Sequence, residues 1–247
     1  MPGRDHDGSR ILDFGCGPGH DLVDFLEFSK PQTLVGADVS PTAMAIARQR
    51  VLLHPGGSSV EFIDCGDLSL FKARLGERTQ FDYIHCSGVL HHVVSAINVL
   101  NTLKSLLAPS GRIRLMVYNR DSIWRNFYVP YVLQHRRRAI DPRLNLDDAF
   151  RKSTDGPSCP ISNSYDEETI RALAESVGFH CEVIGTAIST HEINIWQSYG
   201  PVALADPKAS PAVSCFIRSL KTDATGTLSI KAGSLAGINL VVELTHP

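Results

Sequence analysis

The sequence predicts an α/β fold in which a mostly parallel sheet carries helices on both faces. Three observations point to it. Apolar runs of strand length alternate five times with runs of helical periodicity between Arg10 and Tyr118. The first of these runs, RILDF, leads straight into a glycine-rich turn, GCGPG, before a helical stripe. The chain of 247 residues is 43% hydrophobic and 20% charged, enough for one domain with a sizeable core.

The elements follow in order. RILDF is a buried strand, and Pro18 suits a first helical residue. Leu22, Phe25 and Leu26 continue a helix through Phe28. TLVGADVS is a second strand. Ser40 caps the next helix, PTAMAIARQRVLL, which ends at His54-Pro55-Gly56-Gly57. VEFIDC and FDYIHC are the third and fourth strands. VSAINVLNTLKSLLAP places apolar residues three and four apart and reads as a helix. Pro109-Ser110-Gly111 then turns into a fifth strand, RIRLMVY. DSIWRNFYVPYVLQHRRRAI predicts a helix kinked at Pro130, and KSTDGPSCPISNS a loop. Ser164 and Glu167 have capping-box spacing, and Gly178 stops the helix that they open. FHCEVIGTAI is strand six, SCFIRSLK and TLSIK predict a hairpin around Thr225-Gly226, and INLVVEL is a last strand. With no repeat and no second domain in view, residues 1–247 are read as one domain. The stretch 119–164 is too long for a simple connection. It predicts a helical insertion after strand five, serving as a lid or a substrate-binding element over the strand ends.

Composition narrows the function. A net charge of −2 gives no global pull toward nucleic acid or an anionic membrane. No apolar run reaches the length of a membrane span, and MPGRDHDGSR lacks the apolar core of a signal peptide, so a cytoplasmic protein is expected. Cys16, Cys65, Cys86, Cys159, Cys181 and Cys215 are scattered without a C-x-x-C pair, the pattern of reduced thiols. His135-Arg136-Arg137-Arg138 is a dense basic run. It reads as a solvated helix end, or as a dock for an anionic substrate or RNA. His191-Glu192 could face a pocket from the sheet edge, but further metal ligands are not in view, so no metal is expected.

The turn Gly15-Cys16-Gly17-Pro18-Gly19 departs from the dinucleotide fingerprint. Its third glycine comes one position early, and His20 occupies the fingerprint place. The G-K-[ST] of a triphosphate loop is also absent. Asp13 would repel phosphate and attract an ammonium, while a helix N-terminus favours a carboxylate. A ligand with an amino-acid head and a nucleoside fits both. Asp38, at the end of strand two, suits the hydroxyls of a ribose. Asp67 could accept from an exocyclic amine, and Val39 and Leu68 could sandwich a flat base.

On ILDFGCGPG, GADVS, FIDCGDLSLF, FDYIHCSGVLHHV and LAPSGRIRLMVY, in that order, the sequence resembles the class I S-adenosylmethionine-dependent methyltransferases of the small-molecule type. The resemblance implies a Rossmann-like fold whose seven-stranded sheet has its last strand antiparallel and inserted beside strand five. It implies S-adenosylmethionine as cofactor, with Gly15, Cys16, Gly17 and Gly19 around the methionine end. Asp38 would hold the ribose, Asp67 the adenine amine, and the Cys86 carbonyl the ammonium. Members usually carry a helical segment before the first motif, whereas nine residues precede Arg10 here. The insertion, the C-terminal region or a partner chain is expected to take its place, or the pocket is more open.

Methyl transfer from a sulfonium is an in-line displacement, so the protein has to hold a nucleophile in place and exclude water. CSGVLHHV, after strand four, lacks the [DN]-P-P-[YFW] of enzymes that methylate nucleic-acid amines. His91 and His92 are the candidate bases. Tyr118 and Asn119, at the end of strand five, are candidate substrate contacts, as are Trp124 and Tyr128 in the insertion. Ile123, Phe127 and Tyr131 share one helix face and Trp124, Tyr128 and Val132 the next. That broad face could roof a substrate, form a homodimer contact or pack on its own domain. The expected activity is methylation of a small organic molecule, at oxygen first, then nitrogen or carbon. The alternatives are RNA or protein methylation through the basic run, and a subunit that binds the cofactor without catalysis.

Overall fold

The computed structural model describes residues 3–76, 80–222, 227–231 and 234–247. The elements are β1 (Arg10–Phe14), α1 (His20–Phe28), β2 (Thr33–Asp38), α2 (Pro41–Val51), β3 (Glu61–Asp64), α3 (Leu68–Leu75), β4 (Phe81–Ser87), α4 (Ala96–Leu106) and β5 (Leu107–Tyr118). A π-helix (Trp124–Arg136) follows, then α5 (Leu146–Thr154), α6 (Glu167–Ser176), β6 (His180–Ala187), α7 (Thr190–Ala205) and α8 (Pro211–Ser219). The last strands are β7 (Lys221–Thr222), β8 (Leu228–Lys231), β9 (Ser234–Leu235) and β10 (Asn239–Thr245).

Among the described residues, seven strands form the main sheet in the order β3-β2-β1-β4-β5-β10-β6. β10 runs antiparallel to β5 and β6, and the other pairs are parallel, as the resemblance implied. Alternating side chains serve the two faces. Leu12, Phe14, Ile84 and Leu115 pack against α3, α4 and α6 through Phe71, Leu100, Leu103 and Ile170. Ile11, Leu34 and Tyr83 pack on the other face against α1 and α2 through Leu22, Phe25, Ala47 and Val51. Strand order reverses between β1 and β4, so the loops after these strands diverge and open a crevice at their carboxyl ends.

The insertion does not stand alone. Ile123, Phe127, Tyr131 and Val132 of the 119–164 segment share a second core with Ile195, Ala203, Val213, Ile217, Leu228 and Ala236. Both long connections, from β5 to α6 and from β6 to β10, therefore build one lobe, which includes the small antiparallel sheet β7-β8-β9.

Several local expectations change. The helix around Pro130 is a π-helix: proline offers no N–H and crowds the preceding turn, and the wider turn accommodates it. SCFIRS belongs to α8, where Ser210 caps, Pro211 opens the first turn, and Val213 and Ile217 bury one face. Of the predicted hairpin's first arm, Lys221 alone is in a strand among the described residues, in β7, which pairs with β8; Thr225-Gly226 lie outside the described residues. The box that opens α6 is Asp166 with Thr169, not Ser164 with Glu167. Gly19, at φ 82°, takes the N-cap of α1, so Pro18 sits in the turn and not in the helix. Pro109-Ser110-Gly111 is an irregularity inside β5, where pairing to β4 jumps from Phe81↔Leu107 to Tyr83↔Arg112. The helices α3, α5 and α7 were not anticipated.

Glu192 ties the lobe to the sheet. It is 1% exposed, and it accepts from the Ser189 amide and hydroxyl at 2.8 Å each and from the Ile238 amide at 2.8 Å. Of the pair His191-Glu192, the carboxylate thus closes a capping box with Ser189 and is committed to backbone and hydroxyl donors. Glu192→Ala strands these donors and is expected to lower stability by about 1–3 kcal/mol, read from the urea midpoint.

Candidate functional site

The glycine turn is stapled to the tip of β2. The Gly15 and Cys16 amides donate to the Ala37 carbonyl at 2.7 and 2.9 Å, and the Gly17 amide donates to Asp38 Oδ2 at 2.8 Å. Asp38 Oδ1 accepts from the Ser40 amide at 2.8 Å, so the carboxylate is fixed at the strand end. Gly15 has φ 82°, and a Cβ there would fall 2.1 Å from Val89 Cγ2. Gly17 has φ 51° and open space where a side chain would stand, which leaves its backbone approachable.

This turn forms one wall of a cleft of about 690 Å³ at the carboxyl ends of the strands. Of the residues expected to hold a cofactor, Gly15, Gly17, Asp38, Val39 and Leu68 line it. So does His92. Gly88 and Val89 after β4, Cys65 and Gly66 after β3, Val93 ahead of α4 and Asn98 in its first turn also line it and were missed. The Ser87-Gly88 pair after β4 was the available signal: Gly88 has φ 76°, and a turn there opens the crevice.

Other expected residues stand behind the wall. Gly19 packs α1 against α2, since a Cβ there would meet Ala47 Cβ at 2.9 Å. The Cys16 and Cys86 side chains are buried, and burial drives both thiols upward, so neither is a thiolate nucleophile. Asp67 caps α3: its Oδ1 accepts from the Ser69 and Leu70 amides at 2.9 and 3.0 Å. Asp13 is 1% exposed, and its Oδ2 has no hydrogen-bond partner among the described residues. Burial pushes its carboxyl up to about 7, against a lowering influence from His85, while Asp21 and Asp38 add repulsion.

The two adjacent histidines part company. His91 is fully buried, stacked on Tyr118 at 3.8 Å between ring centroids, and is not part of the cleft lining. Burial pushes its pKa down to about 3, and neither ring nitrogen has a partner among the described residues. His91 therefore stands behind the wall and not in its lining, unlike His92. His92 lines the cleft; its Nδ1 lies 2.9 Å from the Ile161 carbonyl and its Nε2 3.3 Å from Asp155 Oδ1.

The expected substrate contacts do not converge on the cleft. The Tyr118 hydroxyl donates to Asp155 Oδ1 at 2.9 Å. Asn119 is buried and joins the lobe to the sheet: its side chain donates to the Gly237 carbonyl and its amide to the Ile238 carbonyl. Trp124 donates to Ser153 Oγ at 3.0 Å and lies edge-on to Tyr128, both packed inside the lobe. The basic run is partly tied down as well, His135 by Asp206 and Arg137 by the Tyr199 hydroxyl and ring.

Known proteins resemble this chain in sequence and in fold. A family described as "Methyltransferase domain" matches residues 1–183. A ubiquinone biosynthesis O-methyltransferase of Pseudomonas aeruginosa is 27% identical over 114 residues, 46% of this chain and 46% of that protein. A tRNA U34 carboxymethyltransferase of Campylobacter curvus is 29% identical over 111 residues, 44% of this chain and 34% of that protein. The chain spans less than half the length of these curated relatives. A structure of an S-adenosylmethionine dependent methyltransferase from Mesorhizobium loti superposes with a TM-score of 0.57 at 17% identity, covering 97% of this chain and 92% of that one. Among the described residues no helix is long and apolar enough to cross a membrane.

Asp13 gives stability a pH dependence of definite sign. Its carboxyl titrates near 3.8 when exposed and at about 7 in the fold, so the folded chain holds the extra proton between those values. Its contribution is fully present at acid pH and is lost as pH rises through about 7. Urea midpoints measured at pH 5 and pH 8 are expected to fall further for the wild type than for Asp13→Asn.

Proposed function

Because the chain belongs to the methyltransferase-domain family, we propose that it transfers a methyl group from S-adenosylmethionine to a small organic molecule, with oxygen the favoured acceptor atom. The observation that carries this reading is the glycine turn, its amides bonded to the tip of β2, next to a buried carboxylate whose Oδ2 has no partner among the described residues. The residues present fit the cofactor. Gly17 leaves room where a side chain would stand, and Asp13, just behind the wall, has an Oδ2 without a hydrogen-bond partner among the described residues, which a cation nearby would stabilise. Such a cation would also offset the cost of burying that charge.

In this reading Gly15, Cys16 and Gly17 present backbone to the amino-acid end, and Gly19 shapes the turn into α1. Asp13 stabilises the ammonium by its charge, and the Cys86 carbonyl accepts from it. Asp38, already held by the Gly17 and Ser40 amides, accepts from the ribose hydroxyls. Val39 and Leu68 flank the adenine, and Asp67 keeps Oδ2 for its amine while Oδ1 caps α3. The cofactor supplies a methyl group on a positively charged sulfur. Phe14, Val89, Val93 and Val99 make the cleft wall apolar, which excludes water from the transfer and orients an apolar acceptor. A near-neutral chain in which two of the four residues of the basic run, His135 and Arg137, are held by internal partners supports a small acceptor over RNA. The ubiquinone-pathway relative supports oxygen.

Calorimetric titration with S-adenosylmethionine is expected to weaken by at least about tenfold in Asp38→Ala, the scale of lost charge-assisted hydrogen bonds. Equal affinity would remove the ribose assignment. Incubation of the protein with methyl-labelled cofactor and a cell extract is expected to put the label in the small-molecule fraction. Label in RNA or protein instead would overturn the acceptor class.

A further inference from the structure

The inserted loop meets the turn after β4 at one spot. The Asn163 amide donates to the His91 carbonyl at 2.9 Å, and this brings Asp155 and Cys159 against His92. One donor atom from each of these three side chains lies within 4.8 Å of the other two. We propose that His92, Asp155 and Cys159 form a binding site for a divalent transition-metal ion of the zinc class.

The donor set is nitrogen, oxygen and sulfur, the mixture that zinc takes in three-ligand sites with a fourth position left open. Tetrahedral bonds of about 2.0–2.3 Å place neighbouring donors roughly 3.3–3.8 Å apart. His92 Nε2 and Asp155 Oδ1 already lie at 3.3 Å. The surroundings are those of a supported site. The Ile161 carbonyl faces His92 Nδ1 at 2.9 Å, an outer bond that fixes the ring and leaves the Nε2 lone pair for a metal. Asp155 is oriented by Tyr118 on Oδ1, and on Oδ2 by Thr154 at 2.6 Å and Ser162 at 3.2 Å. Cys159 is half-buried; its Sγ donates to the same Ile161 carbonyl at 3.1 Å and lies 3.8 Å from His92 Nδ1, and as a thiolate it would leave that carbonyl for the ion. Because His92 also lines the cleft, the ion would stand in its wall. The ligand set is independent of the methyl-transfer reading. Its use rests on that reading: a metal there would lower the proton affinity of a hydroxyl or thiol acceptor.

The test loads chelator-stripped full-length protein with Zn²⁺, gel-filters it and measures retained zinc by mass spectrometry. Co²⁺ serves as the spectroscopic probe. The wild type is expected to keep about one zinc per chain and to show a thiolate-to-cobalt charge-transfer band. His92→Ala and Cys159→Ser are each expected to bind zinc at least about tenfold more weakly, and Cys159→Ser to lose the band. S-adenosylmethionine titration of Cys159→Ser runs alongside as a check on folding. A wild type that retains no zinc, or variants that retain as much as it does, would overturn the site even with cofactor binding intact. Zinc retained by a wild type that ignores the cofactor would instead count against the methyl-transfer reading alone.

Discussion

The hydrogen bonds between the first turn and the tip of β2 govern the rest of the site. Three consecutive amides, from Gly15 to Gly17, converge on Ala37 and Asp38. That convergence needs left-handed backbone at Gly15, and Val89 presses on the same glycine from the far side of the crevice. The turn is therefore gripped between β2 and the loop after β4. The cleft owes its shape to this three-way contact more than to any one side chain. The same contact brings the Asp13 and Asp38 charges near each other, and their repulsion adds to the cost of keeping Asp13 ionised.

The second lobe is built on a different logic. The π-helix turns residues to two cores: Val129 and Leu133 pack on Ala149 and Phe150 of its own connection, while Phe127, Tyr131 and Val132 meet the second connection. Joined, the two connections share Phe127, Tyr131, Val213 and Ile217 in a common core. Asn119 and Glu192, both buried and both bonded to the backbone at 237–238, anchor that core to the sheet. Aromatic residues that look available for a ligand in the sequence are thereby committed to packing. The loop of the insertion that meets His92, after β4, is the polar stretch around Asp155 and Cys159.

Much of the sheet was legible in the residues. Its strands are apolar runs bounded by Gly, Pro and Asp, and Ser40 and Ser95 cap helices in the way such residues do elsewhere. One wall of the cleft was legible for the same reason: Gly15, Gly17 and Asp38 line it and are local requirements of one turn and one strand end. The signal for α7 was also present, as Ser189 with Glu192 three residues on, but a histidine beside a glutamate drew attention as chemistry. α8 was hidden because SCFIRS, a short apolar run, fits strand or helix equally well.

What the sequence by itself determined is the backbone pattern and the turn, because these follow from local sterics and apolar periodicity. Only the tertiary structure decided what each polar side chain faces. His91 and His92 are neighbours in a tight turn, yet one is sealed against Tyr118 and the other opens on the cleft. Asp155 and Cys159 lie more than sixty residues from His92 and meet it through the lobe's docking. Burial and long-range contact set protonation and partnership, and neither is a property of a residue's own neighbourhood in the chain.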